Sequence, residues 1–176
     1  MIITKGNKIY IELFPKEQES EMDNKTFYNG ERAEEILTGT QKTPHEEIRC
    51  VVRIEIKGSK GSIEIFSEGE VDALDRLVGT PTTMNDFVEI KSCLANKFDP
   101  TTKDTHKTLI HIYNQIFFIG IQILIHALYN DDHKEIQNVT TYDHNGLINL
   151  IQQFAGSVWE RHHSIDFVFK FLNFVE

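Results

Sequence analysis

The pattern of hydrophobic and polar positions is dominated by one long uncharged segment, residues 108–130, TLIHIYNQIFFIGIQILIHALYN. It contains no Asp, Glu, Lys or Arg, although these residues make up 26% of the chain. At about 100° per residue, aliphatic side chains cover most of a helix built from this segment. The narrow polar side consists of His111, Gln115, Gln122 and His126. The pattern predicts a central helix, capped by Thr101 or Thr102 and buried by the rest of the protein.

The length of this segment also fits a membrane span, which needs about 20 apolar residues. Its strongly polar side chains argue against a span, because each would cost about 1–2 kcal/mol in lipid. No basic cluster flanks the segment, and the chain as a whole is hydrophilic. We therefore predict a core helix of a soluble protein, and a membrane-associated subunit is the third interpretation.

Alternating patterns predict two β-hairpins in the first 79 residues. Residues 2–4 and 8–14 flank Gly6-Asn7, a pair suited to a tight turn. Residues 48–57 carry apolar side chains at every even position and charged side chains at every odd position except Val51, which makes this the clearest strand of the chain. The segment 58–61 (GSKG) then turns the chain into a partner strand that carries Ile63 and Ile65.

Helical patterns and caps predict helices in the remaining segments. A short helix is expected at residues 31–37, and a capping box of Ser67 and Glu70 predicts a helix that ends at Gly79. Thr83 is the expected cap of a helix that runs to Phe98, and Asp143 or Asn145 starts another. Residues 158–175 are ambiguous between strand and helix, and the helical period fits their polar residues better.

These elements predict an α+β protein with segregated strands and helices. We expect a single domain over residues 1–176, with β-hairpins and short helices in residues 1–79 and a helical part in residues 80–176. A small antiparallel sheet of two hairpins would pack on a C-terminal helical bundle with the buried central helix inside it.

Composition narrows the classes of function and the compartment. The net charge of -9 argues against nucleic acid as the main partner, because a phosphate backbone would be repelled. The two cysteines, Cys50 and Cys93, are too few for a disulfide framework or a metal knuckle. Polar residues interrupt the N-terminal segment every few positions, so it has no signal-peptide pattern. The sequence therefore predicts a cytoplasmic protein.

The densest group of catalytic residue types is the segment 159–166, WERHHSID. On a helix Asp166 lies one turn beyond both His162 and His163, so its carboxylate could orient an imidazole as a general base. An exposed polar stripe on an amphipathic helix explains the same residues, and we favour that explanation because a His-Asp pair at this spacing arises easily by chance.

A second group of potential ligands lies where the predicted central helix ends: His126, Asp131, Asp132 and His133. Their spacing matches no zinc pattern, and the chain lacks the Glu-x-x-His pairs of di-iron bundles. A capping and turn role explains the aspartates more simply. The sequence therefore predicts no metal site and no cofactor.

The function that these observations favour is a non-catalytic, acidic protein-binding module of the immunity, antitoxin or inhibitor type. Its partner would be a protein with a basic surface, with no nucleic acid and no membrane involved. The expected binding residues lie in an acidic segment and on the polar side of the central helix: Glu17, Glu19, Glu21, Asp23, Gln115 and Gln122. A homodimer through the same polar side is also compatible with the pattern.

The alternative is a hydrolase or nucleotide-processing enzyme that uses His162, His163 and Asp166, with or without a metal ion. A catalytic site requires these side chains to converge within hydrogen-bond distance in a concave pocket. The sequence leans against an enzyme and leaves this alternative open.

Overall fold

The chain is an α+β protein, as the sequence predicts. A computed structural model describes residues 2–5, 8–11, 32–39, 48–58, 61–74, 83–130 and 135–175. The strands are β1 (Ile2–Lys5), β2 (Lys8–Ile11), β3 (Ile48–Gly58), β4 (Gly61–Val71), β5 (Ala73–Leu74), β6 (Phe87–Leu94), β7 (Ile123–Asn130) and β8 (Glu135–Asp143). The helices are α1 (residues 32–38), α2 (Lys103–Ile119), α3 (His144–Ile151) and α4 (Arg161–Val175), with short 3-10 turns at Met84–Asp86 and Ala95–Lys97.

The described strands form two antiparallel hairpins and one mixed sheet. The first hairpin pairs β1 with β2, and the second pairs β3 with β4 along their whole length. The mixed sheet has the order β5-β6-β7-β8, in which β6 and β7 are parallel and the other two pairs are antiparallel. Both predicted hairpins are confirmed, whereas the mixed sheet was not expected.

The predicted central helix is half helix and half strand. Helix α2 begins after Thr102, whose side chain accepts a hydrogen bond from the Thr105 backbone N–H, so the predicted cap is confirmed. The helix ends at Gly120, which has a φ of 83° and donates its N–H to the carbonyls of Ile116 and Phe117. A residue with a side chain is strained at this φ, and glycine is not. The remaining apolar residues form β7, and α2 is the crossover that two parallel strands require.

Two further helix predictions are wrong, because residues assigned to each helix form a strand in the structure. The residues of the expected capping box, Ser67 and Glu70, lie within β4, where they pair with Val52 and Arg49. Thr83 does form a capping box with Asp86, but the helix that it starts is a single 3-10 turn before β6. Residues 80–176 are therefore not a helical bundle, because β6, β7 and β8 lie among them.

Three other helix predictions are correct. The short helix expected at residues 31–37 is α1, at residues 32–38. Asp143 caps α3 by accepting a hydrogen bond from the Gly146 N–H, as predicted. The ambiguous C-terminal segment is helical and forms α4.

The hydrophobic core is built from α2, α3 and the residues that enter β7. Its fully buried side chains come from all three elements: Leu109, Tyr113, Ile116, Ile121, Leu124, Leu147 and Ile151. Val71 and Phe87 join the same cluster and connect it to β4 and β6. Helix α2 therefore has one face fixed in the core, and its opposite face is free to line a site. None of the helices in the described part of the chain is long and apolar enough to cross a membrane.

Candidate active site

Three ionisable side chains meet where β5 pairs with β6. Ala73 is paired with Val88 in antiparallel register, so Asp72 and Glu89 occupy the next opposed positions. Glu89 and Lys91 are two residues apart on β6, so their side chains lie on the same face of the sheet. The sheet thus brings together residues that are 17 positions apart in the chain, and we call Asp72, Glu89 and Lys91 the carboxylate–lysine cluster.

Hydrogen bonds hold this cluster in place. Glu89 Oε1 accepts a hydrogen bond from Lys91 Nζ and another from Gln115 Nε2 of α2 at 2.6 Å. Asp72 Oδ2 accepts the backbone N–H of Ile90 at 2.7 Å and lies 4.0 Å from Lys91 Nζ. The lysine thus contacts both carboxylates, and the helix contributes a neutral amide to the buried one.

Burial strongly perturbs the acid of the cluster. The Glu89 side chain is only 1% exposed, and burial raises its pKa from 4.5 to about 7. The Lys91 ammonium opposes this increase, whereas the charges of Asp72 and of Glu34 on α1 add to it. A buried acid with a pKa near neutrality and a specific charged partner is typical of functional sites.

We predict that Glu89 makes the metal-free protein less stable as the pH rises. The folded protein keeps a proton on Glu89 up to a pH of about 7, whereas the unfolded chain releases it near 4.5. The contribution of this group to stability is therefore fully present below pH 4.5 and is lost as the pH rises through 7, by about 3 kcal/mol in total. Denaturant unfolding in a chelator between pH 4.5 and 8.5 measures it. The difference in free energy between the wild type and Glu89→Gln should shrink toward low pH, and two parallel curves would contradict the prediction.

The cluster fits a hard divalent cation. Oxygen atoms of Asp72 and Glu89 are the ligand type that Mg²⁺ and Mn²⁺ prefer, and Glu89 Oε2 is buried with no hydrogen-bond partner among the described residues. Those residues hold no group of three or more His, Cys, Asp or Glu side chains that could bind a metal. Two carboxylates are nevertheless sufficient for Mg²⁺ when water and substrate phosphates complete the coordination.

The predicted histidine group lies elsewhere, at the start of α4. The rings of His162 and His163 contact each other, His162 Nδ1 lies 3.1 Å from Glu160 Oε2, and His163 Nδ1 accepts the Glu160 backbone N–H. All three are exposed, and so is Asp166, for which no hydrogen bond to either histidine is present among the described residues. A catalytic role for His162, His163 and Asp166 stays a prediction.

The polar residues assigned to the central helix are separated by its end at Gly120. Gln115 reaches the carboxylate–lysine cluster, whereas Gln122 is exposed and donates to the Gly120 carbonyl. His126 is buried on β7, where its Nε2 lies 3.5 Å from Cys93 Sγ. Several other predicted residues lie outside the described part of the chain: Glu17, Glu19, Glu21, Asp23, Asp131, Asp132 and His133.

Sequence reasoning missed the cluster because Lys91 was assigned to a helix. The signal that could have identified it is the segment 87–91, FVEIK, in which two charged residues interrupt an apolar run at a spacing of two. In a strand this spacing puts both charges on one face, and a buried face tolerates them only when they pair.

Solved structures with a similar fold include Rai1 proteins from S. pombe and Scheffersomyces stipitis. S. pombe Rai1 in complex with 3'-FADP is 19% identical with a TM-score of 0.63, over 90% of this chain and 52% of that one. Scheffersomyces stipitis Rai1 is 18% identical with a TM-score of 0.60, over 78% of this chain and 37% of that one. At these identities the likeness establishes the fold alone. The chain spans about half the length of these proteins or less. A search of curated proteins found no match.

A family model described as RAI1 like PD-(D/E)XK nuclease matches residues 3–176. Asp72 and Glu89-Ile90-Lys91 follow the order of the aspartate and the (D/E)XK triplet in that description, with Val71 in place of the proline. The predicted non-catalytic inhibitor or immunity protein with a basic protein partner is therefore wrong, and so is the exclusion of nucleic acid, the substrate of a nuclease. The alternative of a nucleotide-processing enzyme agrees better with this finding. Because the match covers nearly the whole sequence, the chain belongs to the RAI1-like PD-(D/E)XK nuclease family.

Proposed function

We propose that this chain is a hydrolase of phosphate ester or anhydride bonds in RNA and nucleotides, dependent on a divalent metal ion and centred on Asp72, Glu89 and Lys91. The observation that carries the proposal is the carboxylate–lysine cluster, in which a buried acid with a pKa near 7 is paired with a lysine. The family of the chain supports a substrate of this class.

Ligands in the solved relatives support the same class of substrate. The S. pombe protein was solved with 3'-FADP, and a Scheffersomyces stipitis Rai1 structure contains (3'-NADP)+ and a calcium ion. Both organic ligands are nucleotides, and calcium is a cation that binds oxygen ligands. A site with two carboxylates and one lysine suits such a combination, because the carboxylates bind the cation and the lysine attracts a phosphate.

Each residue of the cluster has a distinct role in this proposal. Asp72 and Glu89 would hold the divalent ion, which in sites of this kind lowers the pKa of water and stabilises charge on the phosphate. Lys91, whose side chain is 30% exposed, can reach a phosphate oxygen and stabilise the negative charge that develops there. Gln115 donates a hydrogen bond to Glu89 and fixes the direction of the carboxylate. The Ile90 N–H does the same for Asp72.

The test is hydrolysis by the purified chain of two substrates, a 5′-phosphorylated RNA decamer and the dinucleotide 3′-NADP. Each would be incubated with Mg²⁺, Mn²⁺, Ca²⁺ or a chelator, and products would be separated by chromatography. We expect products from at least one substrate with Mg²⁺ or Mn²⁺ and none with the chelator, because water activation requires the ion. Equal hydrolysis in the chelator, or no hydrolysis under any of these conditions, would overturn the proposal.

A further inference from the structure

The exposed side of α2 carries a ridge of basic and polar side chains that leads to the carboxylate–lysine cluster. Lys103, Lys107, His111 and Gln115 follow one another at intervals of four residues. The first three are exposed, and the last donates its hydrogen bond to Glu89. The ridge therefore starts in solvent and ends at the site.

Helix geometry sets the spacing of this ridge. Four residues advance about 6 Å along a helix and turn the side chain by about 40°. Consecutive side chains are thus neighbours, and the line that they form winds slowly around the exposed side of α2. The helix cannot rotate about its axis, because Leu109, Tyr113 and Ile116 on its opposite side are buried in the core. The ridge therefore keeps its exposed position.

The lysines of the ridge are available for a ligand. Among the described residues, no carboxylate lies within salt-bridge distance of Lys103 or Lys107. The acidic residue that α2 contains is Asp104, in its first turn. The net charge of the chain is -9, so two lysines without a salt bridge to any described residue, on the helix that reaches the cluster, make this part of the surface more basic than the composition suggests.

We propose that this ridge binds the sugar–phosphate backbone of a single-stranded RNA whose end is held at the carboxylate–lysine cluster. Lys103 and Lys107 bind successive phosphates, and the imidazole N–H of His111 donates to the phosphate nearest the site. The advance of about 6 Å per side chain is comparable with the separation of neighbouring phosphates along an extended strand. Backbone contacts of this kind are independent of sequence. This inference rests on the proposed hydrolase function, and it adds that the enzyme favours a strand of several nucleotides over a dinucleotide.

The experiment compares two double variants with the same net charge, Lys103→Gln/Lys107→Gln on the ridge and Lys57→Gln/Lys170→Gln on β3 and α4. Binding of a 3′-fluorescein RNA decamer is measured by anisotropy in Ca²⁺ at several salt concentrations. We expect about tenfold weaker binding by the ridge variant and a salt dependence whose slope is reduced by about 1.4, since each of the two lost phosphate contacts removes about 0.7. The control variant should bind within about twofold of the wild type. For hydrolysis of 3′-NADP, kcat and KM of the ridge variant should be unchanged.

The outcomes separate this inference from the function on which it rests. Decamer binding that is unchanged in the ridge variant, or equally weakened in the control, overturns RNA binding by the ridge even when both proteins hydrolyse 3′-NADP. Decamer binding that depends on the ridge lysines supports the inference. If the wild type binds the decamer in this way but cleaves neither substrate, the hydrolase proposal fails and RNA binding by the ridge stands. Circular dichroism of both variants checks that their helical content matches that of the wild type.

Discussion

Replacement of Glu89 with glutamine is expected to lower the rate of hydrolysis by at least about a thousandfold, the upper part of the range for the loss of one electrostatic group from an active site. The amide keeps the size of the side chain but cannot supply a negative charge to the divalent ion. The initial rate with saturating Mn²⁺ and substrate measures the effect. Isothermal titration calorimetry with Mn²⁺ should show a loss of metal affinity in parallel.

The same substitution should leave the protein folded, which separates a catalytic role from a structural one. Glutamine carries no charge to bury, so the metal-free variant should be more stable than the wild type at pH 8. A matched control is Glu55→Gln, which makes the same chemical change on an exposed side chain of β3. A Glu89→Gln protein that is stable and retains more than a tenth of the activity would exclude Glu89 from catalysis.

Replacement of Lys91 with methionine is expected to lower kcat by about 10²- to 10³-fold, with a smaller effect on KM. The ammonium would stabilise charge that grows on the phosphate during the reaction, so its loss affects the transition state more than substrate binding. Methionine is also unbranched and apolar along its stem, and it lacks the ammonium group with its charge and its hydrogen bond to Glu89. Steady-state kinetics on 3′-NADP provide the two constants.

The Lys91→Met variant should also change the pH dependence of metal binding. The Lys91 charge lowers the pKa of Glu89, so its removal raises that pKa further above 4.5. Metal binding that requires ionised Glu89 should then have its midpoint at a higher pH than in the wild type. Mn²⁺ titrations from pH 6 to 9 would reveal this, with Lys57→Met as a control on an exposed lysine. A midpoint that moves to lower pH would contradict the proposed contact.

The net charge of the chain was a poor guide to its partner, and the reason is physical. A total of -9 averages over the whole surface, whereas a phosphate in a site responds to charges within about 10 Å at ordinary salt. Lys91 lies within the carboxylate–lysine cluster itself, so its charge acts on a phosphate there whatever the sum over the surface. The divalent cation that we propose for the carboxylates would add further positive charge, which the composition of the sequence does not include.

The histidine-rich segment and the carboxylate–lysine cluster differ in the range of the contacts that bring their residues together. His162, His163 and Asp166 were selected because their residue types are common in catalysis, and the structure places them on the surface at the start of α4. Residue type and helical spacing describe only neighbours along one helix. The carboxylate–lysine cluster instead depends on a contact between two strands and a helix, so no single local pattern contains it.

Local signals in the sequence were sufficient to predict those elements whose conformation depends on residues within the element itself. The alternation of apolar and charged residues identified β3, and oxygen-bearing caps identified the starts of α2 and α3 at Thr102 and Asp143. The helical period identified α4 against a competing strand pattern. These features depend on side-chain direction and backbone hydrogen bonds within a few residues, so they can be read without the fold.

Only the tertiary structure decided that β6 and β7 are strands and that Asp72, Glu89 and Lys91 meet. Parallel strands with covered faces lose the alternation that marks a strand, so their apolar runs resemble a buried helix. Gly120 then ends α2 inside what reads as one continuous apolar segment. The site itself exists because the pairing of β5 with β6 sets Asp72 opposite Glu89, a long-range contact that the order of residues does not reveal.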